Sequence, residues 1–185
     1  MRSVAIRAHP LVFGTVVFLA SESMVFAALL AAYFDLRGIA AAWPPPGTQL
    51  DAAGMLVGTV FLGIGSITMT VAQIAATRSN RVVARLMLLL TILCALAFLG
   101  LEWWDWSSAN FRIADNAYAS MYYILTGTHF AHVVAGVVLL AAVTIFLRRP
   151  AFTREHHAGV EAVAYYWHFV FVVWLALYAT IFLVR

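Results

Sequence analysis

Long apolar runs separated by short polar connections organise this chain. Read for apolar length, they predict five helices, near Leu11 to Phe34, Ala52 to Ala76, Val82 to Leu101, Tyr118 to Leu147 and Ala162 to Val184. Each is as long as the roughly 20 residues a helix needs to cross hydrocarbon. The second and fourth runs carry no charge, and the fourth is long enough to tilt or to project beyond the lipid. Backbone groups in lipid must satisfy one another, so these runs are expected to form an all-α, polytopic transmembrane bundle in a single domain over residues 1–185. The first run follows Arg2 and Arg7, as a signal peptide would, but its length and its Glu22 argue against a cleaved leader. Small residues four apart, Ala28 with Ala32, Gly54 with Gly58, and Gly127 with Ala131 and Ala135, are expected at close helix approaches.

Composition agrees: 64% of residues are hydrophobic and only 10% charged, a balance that leaves no room for a separate soluble domain. The basic pI, about 9.4, does not imply a nucleic-acid partner, because the eleven basic residues are arginines scattered between apolar runs. Sorted by connection, Arg2, Arg7, Arg78, Arg81, Arg85, Arg148, Arg149 and Arg154 fall on one side of the bundle, and only Arg37, Arg112 and Arg185 on the other. The positive-inside rule then places the amino terminus in the cytoplasm and the carboxyl terminus outside. The outer connections carry Trp43, Trp103, Trp104 and Trp106, rings suited to the headgroup region, and the stiff turn Trp43-Pro44-Pro45-Pro46-Gly47. Arg148, Arg149 and Arg154 are also placed to hold phospholipid headgroups, although topology alone would produce them. The single cysteine, Cys94, excludes an internal disulfide and any site of paired thiolates.

Four ionisable residues fall at membrane depth: Glu22, His129, His132 and His168. A central charge costs on the order of 2.5–3.5 kcal/mol on insertion scales, so each requires an account. Counted along the helices, Glu22 is expected about 16 Å and the histidines about 9–13 Å from the cytoplasmic end, forming one band. His129 and His132, three apart, share a helix face and are expected to meet Glu22 or Tyr166, with Glu22 within hydrogen-bonding reach of one of the two. Three roles stay open for the band: hydrogen bonds that fix helix register with Glu22 carrying its proton, proton exchange through Glu22, or a metal or haem site built on the histidines. Glu102, at the end of the third run beside Trp103 and Trp104, is expected to be an interfacial carboxylate, solvated or capping, with a packing role kept open by its aromatic neighbours. His9, His156 and His157 fall in cytoplasmic segments and are expected to be surface residues.

Four segments, in order, are GTVVFLASESMVFAALLAAYF with the WPPPG turn, LEWWDW, YASMYYILTGTHFAHVVAG and YYWHFVFVVWLALY. In order and spacing they resemble subunit III of the haem-copper respiratory oxidases, cytochrome c oxidases and related quinol oxidases, in its short five-helix bacterial form. The combination of SE-x-x-x-F, TG-x-H-x-x-H and YYWHF is what makes the resemblance specific. Glu22 stands where that family places a membrane-buried, carbodiimide-reactive glutamate. The resemblance implies an accessory subunit without redox centres, in the inner membrane of a bacterium. Such a subunit packs against catalytic subunit I and subunit II, sustains proton uptake and protects the enzyme from turnover-linked inactivation. Haem and copper are then expected in the partner chains and none in this one. Composition agrees: the chain lacks paired cysteines for binuclear copper, has too few intramembrane histidines for two haems and a copper, and shows no nucleotide-binding signature.

Two departures are visible. Larger family members have two further helices before the first one here, and those helices wall off a lipid-holding cleft. Phe171 stands where the last-helix motif usually reads WHFVD, which removes a carboxylate from the last helix. The electron donor implied is cytochrome c, with a quinol oxidase or a nitric oxide reductase complex as the alternative. A stand-alone proton-coupled transporter, with Glu22 and the histidines as its relay, is the reading from another class; no inverted repeat or broken half-helix in the sequence supports it.

Overall fold

The computed structural model describes residues 10–147 and 158–184, and the described chain contains helices and no strand. Arg148, Arg149 and Arg154, together with His9, His156 and His157, lie outside the described residues. Helix α1 spans Pro10–Ile39, α2 Ala52–Thr77, α3 Arg81–Ser108, α4 Ala117–Phe146 and α5 Ala158–Tyr178, the last running into a π-helical turn at Ala179–Leu183. Five helices are thus long and apolar enough to cross a membrane. Three of them begin on a side chain that accepts from the first turn: Asp51 from the Gly54 N–H at 2.8 Å, Asn80 from Val83 at 3.2 Å, and Asn116 from Ala119 at 2.8 Å.

The helices outrun their apolar stretches. α1 continues to Ile39 and α3 to Ser108, because helical hydrogen bonding does not stop where hydropathy falls, and in α3 the inward face stays buried to the end. The α2–α3 hairpin turns through Ser79, at φ 61°, where Asn80 N–H reaches the Ala75 carbonyl at 2.9 Å and Ser79 N–H the Ala76 carbonyl at 3.0 Å. That is the paired bonding of a Schellman stop, with serine in the left-handed position usually held by glycine. Ser79→Gly is therefore expected to raise stability by about 1 kcal/mol, read as an upward shift of the thermal midpoint in detergent. An unchanged or lowered midpoint would show that the turn is not strained at Ser79.

α5 lies at the centre, touching α1, α2 and α4, while α2 pairs along its length with α3, and α3 with α4. α1 is peripheral and buries only Phe26 and Tyr33. Alternation of the spans is visible in the contacts between their ends. Arg37 at the end of α1 donates to the Val184 carbonyl at 2.8 Å, and the Tyr178 hydroxyl donates to Ala52 at the start of α2 at 3.1 Å. Asn110, after α3, donates to the Gly47 carbonyl at 2.8 Å and accepts from Gln49 N–H at 3.1 Å. The α1–α2 connection, the α3–α4 connection and the end of the last span therefore share one side of the bundle, with the α2–α3 turn and its Arg78 and Arg81 at the other.

Only part of the small-residue pattern marks helix contacts. A Cβ at Gly58 would meet the Phe98 ring at 3.1 Å, as expected for a close approach. Gly127 has no neighbour within 4 Å, Gly54 faces its own cap, and Ala28, Ala32, Ala131 and Ala135 are exposed. The tight crossing instead uses Gly65 and Gly136, whose added Cβ atoms would meet the Trp167 indole at 3.4 and 3.1 Å. A large ring on α5 thus decides which small residues lie at the interface.

Candidate functional site

Polar side chains at membrane depth fall into separate groups rather than one band. Glu22, on the peripheral α1, brings Oε2 to 3.0 Å from Nε2 of His132 on α4, which meets the expectation that it reaches one of the two histidines. The contact is mostly covered, with side-chain exposures of 21% for Glu22 and 16% for His132. Nδ1 of His132 lies 2.7 Å from the Thr128 carbonyl, one turn back on the same helix. A carbonyl only accepts, so Nδ1 carries a hydrogen. Nε2 then either accepts from a protonated Glu22 or, in the imidazolium form, donates to its carboxylate. Both forms place one proton between the two groups and leave the pair neutral, the least costly arrangement in hydrocarbon. Tyr166 from α5 donates to the His132 carbonyl at 2.9 Å, and the Phe26 ring lies 5.0 Å from the imidazole.

His129 is elsewhere. It is fully buried, stacks on Trp174 at 5.1 Å and meets the edge of Phe98 at 5.8 Å, and neither ring nitrogen has a hydrogen-bond partner among the described residues. Three residues along a helix is about 60° short of a full turn, enough to turn His129 into the core while His132 faces α1. His168 serves a third contact, to α2: its Nδ1 lies 2.7 Å from Ser66 Oγ and its Nε2 3.4 Å from Thr70 Oγ1. Glu22 and His132 share one level along the bundle, as their 3.0 Å contact requires, and His129 lies about one turn away along α4. Among the described residues no three His, Cys, Asp or Glu side chains come together as a ligand set would.

Glu102 is not the solvated or capping carboxylate expected: it is 1% exposed, because α3 continues seven residues past the apolar run and turns this position inward, which is the packing role left open by its aromatic neighbours. One turn on, Asp105 is also buried and accepts a hydrogen bond from the Tyr122 hydroxyl of α4. Asp105 was not anticipated from the sequence. The signal was present: Ala84, Leu88, Thr91, Ala95, Phe98, Glu102 and Asp105 recur three or four apart, a single helix face continuing into the acidic residues. Of the four tryptophans expected at the headgroups, Trp103 and Trp104 are exposed, but Trp43 is wedged between Tyr33 and Tyr118 at 5.2 Å from each, and Trp106 donates to Thr126 Oγ1 at 3.1 Å. Phe171 is half-buried over Gly63 of α2, 3.6 Å from where a Cβ would stand, so an apolar ring fills this position.

The family model for cytochrome c oxidase subunit III matches residues 3–184. This chain belongs to the cytochrome c oxidase subunit III family. Proteins named cytochrome c oxidase subunit 3 resemble it from distant sources. The one from Allomyces macrogynus is 35% identical over 181 residues, covering 94% of this chain and 66% of that protein. The ostrich protein, from Struthio camelus, is 36% identical over 177 residues, covering 92% and 68%. That of Thermostichus vulcanus is 32% identical over 173 residues, covering 93% and 86%. The chain therefore spans about two-thirds of the length of the first two relatives and most of the third. The subunit III family is the accessory subunit of haem-copper oxidases, and this member is a multi-pass membrane protein.

Proposed function

We propose that this chain is the accessory, non-redox subunit III of a proton-pumping cytochrome c oxidase in a bacterial cell membrane. In this reading it packs against catalytic subunit I and subunit II, which hold the haem and copper, and against membrane phospholipids, stabilising the catalytic subunit and supporting proton uptake. The observation that carries the reading is the Glu22–His132 contact, made between the two long apolar helices α1 and α4. The family-matched carboxyl group is thereby paired with an imidazole rather than an arginine, a partner that can give or take a proton. Partial exposure of both side chains on the flank of the bundle leaves room for a neighbouring chain to sense or share that proton.

Glu22→Gln tests the assignment. An amide N–H can still donate to Nε2 of His132, so assembly with a haem- and copper-containing chain is expected to be intact. The change is expected in kinetics: modestly slower proton uptake and fewer turnovers before inactivation of the purified oxidase. Normal assembly with complete loss of oxygen reduction would contradict an auxiliary role, and kinetics indistinguishable from wild type would remove the proton-linked one.

A further inference from the structure

A second acidic site, sharing no residue with the Glu22–His132 pair, lies where α3 and α4 meet near the α1–α2 connection. Glu102 and Asp105 stand one turn apart on the buried face of α3, 1% and 6% exposed. The titratable groups acting on them are Asp51 at the head of α2 and Tyr122 and Tyr123 on α4, and none is basic. Buried carboxylates require a compensating charge or a proton. Neither carboxyl forms an ion pair with a described basic residue, and no third ligand completes a metal site among the described residues, so a proton is the remaining counter-charge.

The two carboxyls differ in how they are served. Asp105 accepts from Tyr122 and lines a cleft of about 200 Å³ with Gln49, Leu50, Asp51, Ser108 and Ala109, of which Gln49, Asp51 and Ser108 are exposed at the rim. Glu102 lies behind it, and neither of its oxygens meets a donor among the described residues. Donors stabilise the ionised form, and two carboxylates this close do not both ionise cheaply. The arrangement favours charge on Asp105 and a proton on Glu102.

We propose that Glu102, Asp105 and Tyr122 form a proton-binding site that holds one proton between two carboxyls and exchanges it with water through the cleft at Asp51. In exchange, a cleft water gives a proton to Asp105 as the site's own proton leaves to water, one O–H bond forming as another breaks, so the site keeps one proton and one negative charge. The site faces the aqueous phase on the side of the α1–α2 and α3–α4 connections, and Asp105 is the group through which that proton passes.

Infrared difference spectroscopy of the intact oxidase complex, wild type against Glu102→Gln, reads the site directly. The expected result is loss of one carboxylic-acid C=O band in the variant, a band that in wild type shifts down after equilibration in D2O. Asp105→Asn is expected to keep the acid band but slow its deuterium shift. If no acid band disappears in Glu102→Gln, the group is ionised and the proposal is overturned; a band that never shifts in D2O overturns the exchange route. Should Glu102→Gln fail to assemble, Tyr122→Phe replaces it: removing the donor to Asp105 is expected to move the acid band, and an unmoved band overturns the shared site.

Discussion

Trp174→Ala is expected to destabilise the bundle by about 3 kcal/mol, the low end of the usual range for deleting a buried aromatic side chain. The ring is fully buried on the central helix and touches three others. Its Nε1 donates to Thr59 Oγ1 of α2 at 2.9 Å, its edge meets Phe98 of α3 at 4.7 Å, and its face stacks on His129 of α4. In lipid the transfer component of such a loss shrinks, since the surrounding hydrocarbon is as apolar as the core. The cavity and the lost dispersion contacts remain, while the Thr59 hydroxyl keeps its bond to the Met55 carbonyl and loses only the indole donor. Trp174→Phe restores most of the volume without the N–H and is expected to cost about 1 kcal/mol. Thermal unfolding in a mild detergent separates the two, and a Trp174→Ala midpoint equal to wild type would mean that this ring does not join the helices.

The second large effect is expected from His132→Leu. This change leaves the Glu22 carboxyl without the base that takes its hydrogen bond. Removing one partner of a buried pair costs about 3 kcal/mol in well-enclosed cases. The edge exposure here, and the option for Glu22 to stay neutral, reduce that to about 1–2 kcal/mol. The double replacement Glu22→Leu with His132→Leu removes both polar groups and is expected to be more stable than His132→Leu alone. Stability should therefore rank Glu22→Gln, then the double variant, then His132→Leu, as read from retention of the subunit on heating the complex. Strict additivity of the single changes would show that the two side chains do not interact. The functional loss should not be additive either: once His132 is gone, replacing Glu22 should shorten the turnover lifetime no further.

How far the site was legible follows from geometry. That Glu22 pairs with a TG-x-H-x-x-H histidine was readable, because two histidines three apart on one helix bracket a face broad enough to include a neighbour. Which histidine it would be was not, since a rotation of about 60° between them separates a partner for α1 from a member of an aromatic core. His168 and its Ser66 and Thr70 contacts were equally hidden, because packing between helices distant in sequence leaves no local periodicity. Glu102 was misplaced for a different reason: hydropathy locates where lipid ends, while helices end where backbone bonds and caps end. The three- and four-residue spacing that carries Phe98 on to Glu102 and Asp105 is the feature that would have located the acidic pair.

By itself the sequence determined the number of spans and their all-helical character, because those follow from apolar length and from the rule that backbone in hydrocarbon must bond to itself. Tertiary structure alone decided which polar groups meet, which glycines lie at crossings and which carboxyl is cut off from water. Those outcomes depend on the rotation and packing of five helices about one another, and contacts between surfaces far apart in sequence set both.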